Sequence, residues 1–163
     1  MATNLHRVRQ NFEYQMAQIG APTNTAGGAV PEFRVFDPHR DDQGETSGWM
    51  RRFFVERLSS TLRTEIQLPG LRFDFHTYEL VIFYPREATG DHGRWHDLVD
   101  QDRHDIIKRL HGNDSTSTLT GIAGNDTQAT GLRQRHFEGD EIRDINDVTA
   151  LVITWRCAIE EVE

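Results

Sequence analysis

Hydrophobic residues are most concentrated at residues 78–84, where Tyr-Glu-Leu-Val-Ile-Phe-Tyr precedes Pro85. Because this stretch is apolar on both faces, it predicts a strand at the centre of a sheet. Residues 71–76 alternate between apolar and polar, so one long strand is expected to start half-exposed and end buried. A second long strand is predicted at residues 149–159. Its single buried face would carry Leu151, Ile153, Trp155, Cys157 and Ile159.

Two other segments have the period of a helix. Residues 5–19 place apolar side chains at helical spacing, and Gly20 and Pro22 end the pattern. Residues 95–110 form a second amphipathic helix that packs through one stripe. That stripe consists of Val99, Arg103, Ile106, Ile107 and Leu110.

The remaining segments are shorter or more polar. Residues 32–36 predict a short strand, residues 49–58 favour a strand over a helix, and residues 132–137 predict another strand followed by an acidic connection at 139–147. Long polar loops are expected at about 21–48 and 112–131. The predicted fold class is α+β: a mixed, mainly antiparallel sheet with an N-terminal helix and a second helix packed on it. Residues 1–163 are expected to form a single domain.

Composition restricts the partners of the chain. With 26 acidic and 18 basic side chains the formal net charge is −8, which opposes tight binding to nucleic acid or anionic lipid. The single cysteine excludes an intrachain disulfide, and the polar N-terminus lacks the apolar core of a signal peptide. We therefore expect a cytosolic product. No apolar run is long enough to span a bilayer, so no membrane partner is expected.

Catalytic motifs are absent from the sequence: it has no phosphate loop, nucleophile elbow, CxxC pair or HExxH. A metal site could use the histidines and aspartates of the second helix, but a solvated polar face explains their spacing of four better. These residues are His92, His96, Asp100, His104 and Asp105. Cys157 shares its parity with apolar residues and is interpreted as a core cysteine. No cofactor is expected.

Charges of opposite sign are separated along the chain. Arg51, Arg52, Arg57 and Arg63 form a basic stretch, and acidic residues from Asp140 to Asp147 form its counterpart. Such patches on identical subunits favour interprotein salt bridges and head-to-tail rings.

The order of elements resembles that of the tail terminator, or tail-completion, proteins of long-tailed bacteriophages. Residues 5–19, 71–85, 95–110 and 132–159 carry this resemblance. It implies a non-catalytic structural protein of the virion tail or neck, assembled in the host cytoplasm. Its subunits form a ring, expected to be a hexamer, on the last ring of the tail tube. The ring ends tail polymerisation, connects the tail to a head-side connector or stopper protein, and lets genomic DNA pass without specific binding.

Under this interpretation the basic stretch, the acidic connection and the second long loop contact other subunits or partners. The expected contact residues are Arg51, Arg52, Arg57, Thr116, Thr118, Leu119, Ile122, Asp140 and Glu141. Three alternatives stay open: a head-completion or stopper neck protein, a small metal-dependent hydrolase that uses His96, Asp100 and His104, and a monomeric cytosolic adaptor.

Overall fold

The computed structural model describes residues 4–20, 30–41, 46–61, 71–86, 92–112, 119, 130–145 and 147–162. In these ranges two long helices accompany five strands. The elements are α1 (Asn4–Ala17), β1 (Arg34–Val35), the one-turn helix α2 (Pro38–Asp41), a 3-10 turn (Thr46–Trp49), β2 (Arg52–Thr61), β3 (Leu71–Phe83), α3 (His92–Leu110), β4 (Leu132–Ile145) and β5 (Val148–Val162).

The five strands form one sheet in the order β1-β2-β3-β5-β4. The pair β1 and β2 is parallel, and every other neighbouring pair is antiparallel. The predicted α+β class with a mixed, mainly antiparallel sheet is therefore confirmed. The strand predicted from residues 71–84 is β3, and it occupies the centre of the sheet as its apolar pattern required.

The main core lies between one face of the sheet and the two long helices. Tyr78, Leu80 and Ile82 of β3 point into it, as do Leu151, Ile153 and Trp155 of β5. The helices contribute their predicted apolar faces, with Val8, Phe12 and Met16 from α1 and Val99, Ile106 and Leu110 from α3. Each fully buried side chain of this size stabilises the fold by roughly 1.5–3 kcal/mol.

A second, smaller core covers part of the opposite face of the sheet. Trp49 packs edge-on against Phe36 with ring centroids 4.9 Å apart, and both rings contact Phe83. Val81, Ala150 and Val152 are buried beneath this aromatic group. The prediction that the last strand has one buried face was therefore wrong for its first half. Trp49 and Phe36, which lie on the segments before β2, cover the face that the sequence pattern left open.

Residues 139–145 form a strand where an acidic connection was expected. They continue β4 beyond a bulge between Phe137 and Gly139 and pair with β5 up to Ile145. The tight turn to β5 includes Asp147, whose φ of 62° lies in the left-handed region that Asp adopts more readily than most residues. A strand at a sheet edge tolerates this charge because much of its surface faces water.

Candidate functional site

The outer edge of β2 is mostly unpaired among the described residues. β1 is only two residues long and pairs with Arg52 and Phe53. Beyond them, the described residues place no strand alongside residues 55–61 of β2. Glu56, Arg57 and Leu58 are exposed there, and Leu58 is 50% exposed at a bulge of the strand. As far as the described residues go, this edge therefore leaves room for a further strand.

The outer edge of β4, on the opposite side of the sheet, has partners along its first half only, as far as the described residues show. Gly112 exchanges two backbone hydrogen bonds of 3.0 Å with Arg135, and the Phe137 amide donates to His111 Nδ1 at 3.3 Å. Past the bulge, the described part of the chain offers no partner to residues 139–145. Ile142 is 48% exposed on this half. Within the described ranges the sheet therefore has one open edge at each side.

Arg51 was predicted to contact another subunit, and the structure corrects this prediction. Its side chain is fully buried, and its guanidinium donates to both carboxylate oxygens of Asp102 at 3.0 Å. It also donates to the Pro31 carbonyl at 3.0 Å and lies over the Phe33 ring at 3.7 Å. A guanidinium with these internal partners is not available at the surface of the subunit.

The pair of Arg51 and Asp102 joins distant parts of the chain. Tyr84 donates to Asp102 Oδ2 at 2.8 Å, and Trp95 Nε1 donates to the Tyr84 carbonyl at 2.9 Å. Burial raises the pKa of Asp102, and the Arg51 guanidinium and the Tyr84 hydroxyl partly offset that rise. Arg51 also has a φ of 58°, so its backbone is held in a conformation that non-glycine residues seldom adopt. This network fixes the start of β2 against α3 and the end of β3.

Of the other basic residues, Arg52 is largely held within the subunit and Arg57 is not. Arg52 Nε lies 3.8 Å from Asp41 Oδ1, and its side chain is 15% exposed. Trp49 Nε1 donates to the Asp41 carbonyl at 2.9 Å, so the same short segment supports both residues. Arg57 is exposed on the open edge of β2. Among the three predicted arginines, Arg57 is therefore the one placed to reach a neighbouring molecule.

The predicted acidic contacts lie on the open half of β4. Asp140 accepts two hydrogen bonds from Arg103 of α3, at 2.6 and 3.0 Å. Glu141 forms an ion pair with Arg143, which also contacts Glu79 at 3.3 Å. Both carboxylates are exposed, and each already has one internal arginine partner. A carboxylate has room for more than one donor, so these pairs leave capacity for a partner.

Of the four predicted contact residues in the second long loop, Leu119 is the one that lies within the described residues. Thr116, Thr118 and Ile122 lie outside the described residues. Leu119 is 2% exposed and belongs to the main core, and its carbonyl accepts a hydrogen bond of 2.7 Å from Thr130 Oγ1. Leu119 therefore anchors the loop to its own subunit, which corrects its prediction as a contact residue.

The histidines of α3 do not assemble a metal centre in the part of the chain that the structure describes. His96, Asp100 and His104 are exposed along the helix, and Asp105 accepts a hydrogen bond of 3.0 Å from Gln101. Within the described ranges no group of three or more His, Cys, Asp or Glu side chains could hold a metal ion. The hydrolase hypothesis gains no support from this arrangement.

Cys157 is fully buried, which confirms its interpretation as a core residue. Burial raises the pKa of its thiol to about 12, and the guanidinium of nearby Arg135 only partly counters this effect. Because the thiolate is the reactive form, this cysteine is a poor nucleophile at neutral pH.

Arg135 and Asp102 are buried charged residues that the sequence analysis missed. Arg135 donates to the Leu110 carbonyl, the last of α3, and to Asn11 Oδ1 of α1, both at 2.6 Å. It thereby caps α3 and ties α1 to β4. Asp102 could have been noticed, because it lies four residues before Ile106 and three after Val99 on the apolar side of α3. The sequence of β4 contains no comparable signal for Arg135.

Comparisons with known proteins found no matching family model and no similar curated protein. Among the described residues, no helix combines the length and hydropathy that crossing a bilayer requires.

Proposed function

We propose that this chain is the ring-forming subunit of a tail terminator of a long-tailed bacteriophage, located at the tail or neck of the virion. The observation that supports the proposal is that, among the described residues, one sheet has an unpaired edge segment at each of its two sides. Each edge exposes a large aliphatic side chain, Leu58 on β2 and Ile142 on β4. A chain with different contact surfaces on its two sides associates head to tail and closes into a ring when the rotation permits.

The charges of the two edges support the same arrangement. Residues 139–145 carry Asp140, Glu141 and Asp144 against the single guanidinium of Arg143. Residues 55–61 carry one acidic and one basic side chain, Glu56 and Arg57. Joining unlike edges therefore avoids the repulsion that would arise if two β4 edges met.

In this role the ring sits on the last ring of the tail tube, stops tube polymerisation and offers its other side to a head-side connector. The number of subunits, six, follows from the resemblance. An acidic excess suits a conduit for DNA, because like charge keeps the polyanion from binding to the wall. The function requires no reaction centre.

Light scattering and negative-stain electron microscopy of the purified chain, alone and mixed with tail tube polymers, test the proposal. We expect closed rings, either free or at the ends of the tubes. Arg57→Glu should reduce ring formation, and Lys108→Glu, an equal charge reversal on the exposed side of α3, should leave it unchanged. A chain that stays monomeric at all concentrations and ignores tube ends would overturn the proposal.

A further inference from the structure

We propose that the subunits join by sheet extension: the open half of β4 in one copy pairs antiparallel with the open part of β2 in the next copy. This inference rests on the proposed ring and adds its contact and register. Each strand of the series β2, β3, β5 and β4 is antiparallel to the one before it. β2 and β4 therefore run in opposite directions. Two copies placed side by side in the same orientation bring these strands together as an antiparallel pair.

The backbone groups that would form the new ladder can be identified on β4. In an antiparallel pair, alternate residues direct their N–H and C=O groups away from the paired strand. The Phe137 amide points outward, since it donates to His111. Phe137 lies opposite Trp155. Ile153 and Leu151 follow Trp155 at intervals of two on β5, so the β4 residues opposite them have the same outward orientation as Phe137. These residues are Asp140 and Ile142.

The outward backbone groups on β2 are marked by the contact of β2 with the segment after β1. The Phe53 carbonyl points outward, because it accepts a hydrogen bond of 2.7 Å from the Phe36 amide. Val55 and Arg57 follow at intervals of two before the bulge and have the same orientation. Both side chains lie on the helix side of the sheet, opposite Leu80 and Tyr78. Asp140 and Ile142 lie on that side as well, opposite Ile153 and Leu151.

One register between β4 of one copy and β2 of the next satisfies both the outward backbone groups and the chemistry of the opposed side chains. Placing Arg57 opposite Asp140 sets Val55 opposite Ile142, because the numbering of the two strands runs in opposite directions. The first pair joins a guanidinium to a carboxylate, and the second covers an aliphatic side chain that is 48% exposed in the isolated subunit. Cross-strand pairs of these kinds each stabilise a ladder by roughly 0.2–1 kcal/mol. We assign this register to the contact.

Disulfide trapping between two single variants tests the contact. Directly opposed residues of a hydrogen-bonded antiparallel pair have Cα atoms about 5.5 Å apart, within the range that a disulfide bridges. A chain with Arg57→Cys and a chain with Asp140→Cys are mixed under oxidation, and we expect a covalent heterodimer. The native Cys157 is fully buried and provides no competing thiol. The mixture of Arg57→Cys with Asp144→Cys serves as the out-of-register control and should give little product.

The outcomes separate this inference from the proposed function. If rings form and no disulfide joins positions 57 and 140, the proposed contact is wrong and the proposed ring still stands. A homodimer of Asp140→Cys alone overturns it in favour of a symmetric β4 pair, and a dominant 57–144 link overturns the register. A chain that is monomeric throughout overturns both proposals.

A backbone variant gives a second test that does not depend on cysteine reactivity. Ile142→Pro removes an outward N–H and leaves the ladder to β5 intact, which an edge strand tolerates. We expect circular dichroism to show a folded chain and light scattering to show the loss of rings. A folded Ile142→Pro chain that assembles normally would overturn the contact.

Discussion

At the scale of single residues, two arginine–aspartate pairs among the described residues share a bidentate geometry and differ in their surroundings. Arg51 and Asp102 are fully buried, and Arg103 and Asp140 are 39% and 24% exposed. A buried pair is costly to break, because removing one partner leaves the other charge buried with neither a counter-charge nor water to stabilise it. An exposed pair contributes little, since water screens both charges. The two pairs therefore have different structural roles despite their similar hydrogen bonds.

Substitution of the two arginines should reveal this difference. We expect Arg51→Met to lower the free energy of unfolding by about 3–5 kcal/mol, because Asp102 stays buried without its cation. Arg103→Met should lower it by about 0–1 kcal/mol. Urea unfolding measures both losses. The double variant Arg51→Met with Asp102→Leu should lose less than the sum of the two single losses, and additive losses would contradict the internal pair.

The decrease in the free energy of unfolding caused by Arg51→Met should also depend on pH. The pKa of Asp102 is already raised by burial, and without Arg51 it should rise further. When the pKa of an acid is higher in the folded than in the unfolded state, its contribution to the free energy of unfolding is largest at low pH. This contribution is lost as pH rises from the unfolded pKa through the folded pKa. The difference between Arg51→Met and the unmodified chain should therefore widen as pH rises from about 4 towards neutrality. A difference that narrows over this range would contradict this assignment.

At the scale of elements, the segments between α1 and β2 complete the sheet. The predicted loop at 21–48 contains β1, α2 and most of the 3-10 turn, which ends at Trp49. Trp49 covers Phe83 at a centroid distance of 5.1 Å, which protects the second face of β3. These short elements therefore act as part of the core.

Removing the Trp49 ring tests this structural role. We expect Trp49→Ala to lower the free energy of unfolding by about 3 kcal/mol, as is usual when a large buried ring is deleted. Leu58→Ala, which truncates an exposed side chain of β2, should change it by less than about 0.5 kcal/mol. Both chains are unfolded in urea at one protein concentration, because assembly would shift the apparent stability. Equal losses would contradict the covering role of Trp49.

At the scale of the whole molecule, net charge and sheet topology point to the same partner. The chain carries a formal charge of −8, and its sheet has two unlike edges without a partner strand among the described residues. Acidic molecules repel nucleic acid at long range, whereas oppositely charged side chains attract at contact. Both effects favour the proposed partner, another copy of the chain, over a polyanion.

Duplex DNA should accordingly pass the assembled protein without being retained. We expect no shift in the electrophoretic mobility of duplex DNA at an ionic strength of about 0.15 M. A variant with Asp140→Lys and Glu141→Lys provides the contrast, since it reverses the charge of the β4 edge. Retention of DNA by the unmodified chain at this ionic strength would contradict the proposed passive conduit.

Local periodicity was enough to predict the long strands and helices of this protein. Residues 71–84 and 149–159 alternate or are continuously apolar, and these patterns are local, so they predicted β3 and β5 correctly. The helical spacing of residues 5–19 and 95–110 predicted α1 and α3 for the same reason. The placement of Cys157 in the core also followed from parity alone.

Contacts between distant segments set the positions of the charged residues and determine which strand edges have no partner among the described residues. Arg51 is buried because Asp102 approaches it from 51 positions further along the chain, and no local pattern encodes that meeting. Residues 139–145 form a strand because β5 pairs with them, although their charges resemble those of a loop. The open edges of β2 and β4 follow from the order of strands in the sheet. That order depends on contacts between distant segments, and such contacts leave no period in the sequence.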